Sequence, residues 1–186
     1  MFLEPSFLSI AIAKIRGGKF NNLINVNFKG YFLFIAAFLI QGFMGLLNNG
    51  DSLTIKKFIV NFSYYLIALS YILMIVTSLM NIKKIYMKLF LIGIVLNFVV
   101  IMANGGKMPV YFPPDLNINE NVIEEREYDI IHIKADEDTK LFLLADIIYI
   151  PKPYPLPKIL SIGDLFIMAG VFMFFQREML SDQSQT

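Results

Sequence analysis

In a chain of 186 residues, 56% are apolar and the mean hydropathy is +0.61, which leaves too few polar side chains to clothe a water-soluble globule. Sixteen lysines and arginines against fifteen acids give no basic field to concentrate nucleic acid. The absence of cysteine and the single histidine exclude disulfides, thiolate chemistry and a histidine-based zinc site.

The first apolar stretch, "EPSFLSIAIAK", offers only nine uncharged residues from Pro5 to Ala13. That is about 14 Å of helix, so crossing a bilayer would need Met1 to Leu3 and the stem of Lys14 as well. Glu4 precedes it and Lys14, Arg16 and Lys19 follow, the reverse of a signal peptide. An uncleaved first helix is predicted, ending at Gly17-Gly18. Three uncharged runs follow, 30–50, 58–82 and 89–106, each near or above the roughly 18 residues needed to cross hydrocarbon. A fourth, 159–176, is interrupted only by Asp164. The predicted fold is therefore an all-α integral membrane protein with about five transmembrane helices, the first one short.

Loop charge predicts the orientation. Arg16, Lys19 and Lys29 in one loop, and Lys83, Lys84 and Lys88 in another, stand without acids and mark the cytoplasmic side. Acids outnumber bases in 107–158, which falls outside; Lys56 and Lys57 are the dissenters. The chain divides into membrane helices one to four (1–106), an extracytoplasmic acidic and proline-rich loop (107–158), a last membrane helix (159–176) and a cytoplasmic tail (177–186), with the N-terminus out and the C-terminus in.

Within the outer segment, prolines and clustered acids predict irregular chain with one short helix around Val122 to Tyr128. "YDIIHIK" and "KLFLLADIIYI" around "ADEDT" suit a hairpin, although the second run equally suits a helix lying on the membrane. Pro151, Pro153, Pro155 and Pro157 in "PKPYPLPK" predict an extended, polyproline-like strut.

"NGGKMPV" after a membrane helix, the later "IH", "TKLFLLADIIYIPKPYPLPKILSIGDLFIMAGVF" and the early "RGGKFNNL" resemble a family of small bacterial polytopic membrane proteins of unknown function. The resemblance implies a bacterial cytoplasmic membrane address and a shared outer face, with no catalytic residue to carry over.

Two readings compete at the edges of the outer segment. Asn104-Gly105-Gly106 fits a helix C-cap, and Ser161 with Asp164 fits an N-terminal capping box. Against this stands the one-sidedness of the polar residues. Gln41, Asn61, Asn97, Asn104, Ser161 and Asp164 fall in the predicted outer halves of the helices, while the inner halves are almost wholly apolar apart from Ser70, Thr77 and Ser78. Amides and hydroxyls within hydrocarbon need partners, so these six residues are candidates to line a polar cavity open to the outside.

Catalytic constellations are weak. Ser161, Asp164 and His132 supply the residue types of a hydrolytic triad without its nucleophile elbow; Asp136 and Asp138 supply cation ligands in an acidic turn. No cofactor motif is present. The reading that results is a non-catalytic binding or accessory protein whose outer cavity takes a lipid headgroup, a peptide or a partner subunit. The partners implied are membrane lipid and another membrane protein or a second copy. Rival classes are a small transporter or channel component and an enzyme at the outer interface.

Overall fold

A computed structural model of the chain describes residues 3–48, 53–112, 130–154 and 158–181. Six helices dominate it: α1 (Leu3–Ile15), the single turn α2 (Asn21–Ile24), α3 (Tyr31–Asn48), α4 (Leu53–Met80), α5 (Ile85–Ala103) and α6 (Ile162–Leu180). Four short strands accompany them: β1 (Met108–Val110), β2 (His132–Lys134), β3 (Ile148–Ile150) and β4 (Lys158–Leu160).

Helix ends follow the glycine punctuation. Gly17, at φ 88°, ends α1 where the Gly18 N–H returns to Ala13 O at 2.8 Å. Asn104 precedes Gly105 and Gly106, at φ 69° and 84°, and the Gly106 N–H bonds Ile101 O at 2.9 Å. These left-handed positions let the chain leave a helix without a Cβ clash.

Side-chain contacts fix the helix directions. Along α1 and α6, Glu4 pairs with Lys158 just before α6, Ser9 Oγ donates to Phe172 O at 2.6 Å and the Arg16 guanidinium donates to Gln176 Oε1 at 2.7 Å. The two helices therefore run parallel. Asn97 meets Asp164, while Lys84 meets Glu178 at 3.2 Å, so α5 and α6 run antiparallel. Gln41 meets Ser70 at 3.2 Å and Asn81 holds the Lys29 backbone from both sides at 3.0 and 2.7 Å, which makes α3 and α4 antiparallel. One end of the bundle thus gathers Arg16, Lys29, Lys84 and Glu178, and the other carries the strands.

The core divides along the same axis. Ala37, Met74, Phe90, Ile94 and Ile167 pack across α3 to α6 in the middle. Met44, Ile67, Val100 and Ile101 pack under Met108 and Ile130 at the strand end. Small residues bring α5 and α6 together, as in membrane bundles. A Cβ at Gly163 would overlap the Asn97 amide and stand 2.8 Å from Gly93 O, and one at Gly170 would stand 3.0 Å from Tyr86 O.

Among the described residues two helices are long and apolar enough to cross a membrane, Phe62–Met80 within α4 and Ile85–Ala103; α3 adds the shorter apolar stretch Tyr31–Leu47. The 13 residues of α1 make about 20 Å of helix, less than the roughly 30 Å of a hydrocarbon core.

The segment between α5 and α6 departs from two expectations. The hairpin expected around "ADEDT" does not form. Instead β2 lies parallel to β1, Met108 opposite His132 and Val110 opposite Lys134, and Phe142–Leu144 makes a 3-10 turn. The fully buried Met108-Pro109-Val110 is the apolar strand on which both neighbours assemble, since Val110 also bridges Asp146. Nor do Pro151 and Pro153 extend as a strut; Pro155 and Pro157 lie outside the described residues. β3 and β4 pair antiparallel, Ile150 opposite Lys158, and the Tyr154 N–H bonds Pro151 O at 3.2 Å, so the chain doubles back. The β3–β4 ladder hydrogen bonds set the path of the chain on either side of the prolines. The short helix expected around Val122 to Tyr128 lies outside the described residues.

Candidate functional site

The "SIGD" stretch enters α6 from β4. Ser161 is its N-cap: Ser161 Oγ accepts from the Asp164 N–H at 3.0 Å, and Asp164 Oδ2 accepts from the Ser161 N–H at 3.2 Å. This reciprocal capping box satisfies two orphan donors at the positive end of the helix dipole. The arrangement does not end there. Asn97 of α5 donates from Nδ2 to Asp164 Oδ1 at 2.8 Å and accepts at Oδ1 from Ser161 Oγ at 2.9 Å. Cap and interhelical contact are one network, with Ser161 fully buried and Asp164 6% exposed. Gly163, between the capping residues, leaves the room that Asn97 occupies.

Beside this network lies a cavity of about 320 Å³ between the strands and the ends of α3 to α6. Its polar lining is Gln41, Tyr71, Asn97, His132, Asp146, Lys158 and Asp164, and Phe38, Phe90, Ile94 and Ile167 form its apolar floor. Asp146 reaches it because its backbone is tied to β1 and the residue that follows it: its N–H donates to Pro109 O and its carbonyl accepts from the Tyr111 N–H, each at 2.9 Å. His132 reaches it from β2, directly opposite Met108.

The electrostatics are dominated by acids. Asp146 is 8% exposed and its Oδ1 has no hydrogen-bond partner. Burial, reinforced by the charge of Asp164 and opposed by His132, pushes its carboxyl up from 3.8 to about 7. Lys158 is engaged by Glu4 of α1. The cavity therefore offers two carboxylates, one with an open acceptor, and an amide from Gln41 whose Nε2 is turned to Ser70 Oγ.

Of the six candidates from sequence, Asp164, Asn97 and Gln41 line this cavity, and Ser161 stands behind it in the capping network. Asn104 is elsewhere. Its amide accepts from the Lys140 N–H at 3.0 Å and donates to Lys140 O at 2.9 Å, which ties the end of α5 to the segment that follows it. The Asn61 side chain lies outside the described residues. Ser70, placed in the inner half from sequence, instead meets Gln41, whereas Thr77 and Ser78 bond Leu73 O and Met74 O in their own helix. Four lining residues are additions: His132, Asp146, Lys158 and Tyr71. Asp146 carried a signal, a lone acid inside the apolar run "LFLLADIIYI"; Tyr71 carried none.

The catalytic constellations do not assemble. The Ser161 hydroxyl is committed to Asn97 and the helix cap. Asp136 closes its own turn, Oδ1 accepting from Asp138 N–H and Thr139 Oγ1 at 3.1 Å each. Among the described residues there is no group of three or more His, Asp or Glu that could hold a metal ion.

Fold and site together define a mostly helical bundle with an acidic pocket at the end where its strands collect. Residues 25–176 match the DUF5317 model, described as a family of unknown function, and the chain belongs to that family. It is similar to an uncharacterized protein of Thermotoga maritima, 29% identical over 169 residues that cover 91% of this chain and 87% of that one. No solved structure matches it.

Proposed function

We propose that the protein is a binding or accessory protein of the bacterial cytoplasmic membrane. It crosses the bilayer about five times, the short first helix included, with the strand end outside and the Arg16, Lys29 and Lys84 end in the cytoplasm. The clustering at one end of an apolar bundle of basic residues that outnumber the acid beside them supports this orientation. Its outer cavity takes the headgroup of a membrane lipid, and the ligand chemistry that fits is a primary ammonium. The observation that carries this is the buried Asp146 with an open Oδ1, beside Asp164, in a pocket whose lysine is already paired. An ammonium brings both the donors and the charge that such a pair lacks.

Native mass spectrometry of protein released from nanodiscs tests the reading. Phosphatidylethanolamine should be retained over phosphatidylcholine, whose quaternary nitrogen has no N–H, and Asp146→Asn should abolish the preference. Equal retention of the two lipids by the wild-type protein overturns the lipid assignment. A copurifying peptide or protein lost on the same substitution would make that partner the occupant instead.

A further inference from the structure

A second built surface lies at the opposite end of the bundle, where the SIGD network plays no part. Arg16, Lys83, Lys84 and Arg177 surround a polar pocket of about 720 Å³ with Glu178 as the carboxylate among the described lining residues. Glu178 is occupied, accepting from Lys84 Nζ at 3.2 Å and from the Tyr86 hydroxyl. The Arg16 guanidinium meets the neutral amide of Gln176. Four cations against one carboxylate leave the pocket strongly positive.

Tyr86 is also a wall of a second cavity of about 580 Å³, apolar and open along the side of the bundle. Leu23, Val26 and Phe28 line it near the basic end, and Ile35, Phe38 and Phe174 continue it along the helices. A slot of aliphatic and aromatic side chains leading from a cationic pocket matches one chemical object, an acyl chain attached to an anionic head. We infer that this end of the protein is a binding site for an anionic phospholipid, phosphate against Arg16, Lys83 and Arg177 and one acyl chain in the groove past Tyr86. The guanidinium forks suit phosphate oxygens, and juxtamembrane lysines and arginines are attracted to anionic headgroups. Tyr86, held by Glu178, forms the step between head and chain. In the orientation proposed above, the lipid belongs to the inner leaflet; the site itself does not depend on that orientation.

Thermal unfolding in a neutral detergent tests it without a membrane orientation. Phosphatidylglycerol should raise the melting temperature more than phosphatidylcholine at equal concentration, and the difference should shrink in high salt. Soluble glycerol phosphate should give no shift, since it lacks the chain. The triple change Arg16→Gln, Lys83→Gln, Arg177→Gln should remove the phosphatidylglycerol effect. Ile35→Trp, at an exposed position on the groove wall, should weaken it several-fold with the charges intact. Asp146→Asn should leave it unchanged, so loss of the outer site is distinguishable from loss of this one. Equal shifts from the two lipids, a full shift from glycerol phosphate, or a triple variant that keeps its preference would each overturn the inference.

Discussion

Asn97 Nδ2 stands 2.8 Å from Asp164 Oδ1, so the carboxylate that caps α6 is also the one that α5 grips. Asn97 accepts from Ser161 through its other atom, so this amide orientation matches a donor to the carboxylate and an acceptor to the hydroxyl. The capping box and the contact between α5 and α6 are therefore one structure.

Asp164→Asn consequently costs more than a cap exchange. Asparagine is a good helix N-terminal residue in general, but here both carboxylate oxygens accept, one from Asn97 and one from the Ser161 N–H. An amide can satisfy one and must present N–H₂ to the other. The expected loss is about 1–3 kcal/mol, read as a lower melting temperature in detergent. A variant as stable as wild type would show that Asn97 turns over at no cost.

Gly163→Ala should be strongly damaging. The added methyl would overlap the Asn97 amide, forcing α5 and α6 apart and breaking the network; about 3 kcal/mol or more is expected. Gly45 provides the comparison, since nothing lies within 4 Å of a Cβ there. Gly45→Ala should be neutral or stabilising by up to about 1 kcal/mol. Unfolding midpoints of the two variants decide it, and equal midpoints would contradict the close approach.

The helix runs were legible because charge is excluded from long apolar segments, and α3, α5 and α6 follow those runs to within a few residues. Glycine and SIGD punctuation was legible for a similar reason, because caps are local chemistry. The outer segment was not. β1 is three residues long and finds β2 across a gap of more than twenty residues, a pairing that no local pattern encodes. At Pro151 and Pro153 composition misled because it reports the preference of an isolated chain, whereas Ile150 opposite Lys158 is a pairing that the prolines do not encode. The same holds in the cavity: Asp164 and Asn97 stand out as polar groups on apolar helices, but His132 and Asp146 enter only through the pairing of β1.

Asn104→Ala should loosen the outer segment while leaving the bundle intact. Its side chain makes both hydrogen bonds to the Lys140 backbone, and Lys140 adjoins the exposed turn at Asp136. Limited trypsin digestion should cut at Lys140 faster by several-fold, with little change in melting temperature. Unaltered cleavage would mean that the β1 pairing alone holds this loop.

The orientation proposed from charge is checked with single cysteines, since the chain has none of its own. Glu137→Cys, in the exposed turn of the outer segment, should be labelled by an impermeant thiol reagent in intact cells. Lys83→Cys, exposed at the basic end, should be labelled only after lysis. The reverse pattern would invert the proposed orientation.

Asp146 should make stability depend on pH in a definite direction. Its carboxyl titrates near 3.8 when unfolded and about 7 when folded, so between these values the folded protein holds a proton that the unfolded chain has lost. Stability from this group is full below about pH 4 and falls as pH rises to about 7, by roughly 1 kcal/mol per unit in mid-window. Asp146→Asn should flatten that fall; a slope that survives the substitution belongs to another group. Binding of an ammonium ligand should show the opposite trend, because it requires the carboxylate. Affinity should rise about tenfold from pH 6 to pH 8, and that rise should vanish in Asp146→Asn. Calorimetric titration with ethanolamine phosphate at the two pH values checks this, and an affinity that is flat in the wild-type protein would remove Asp146 from the binding site.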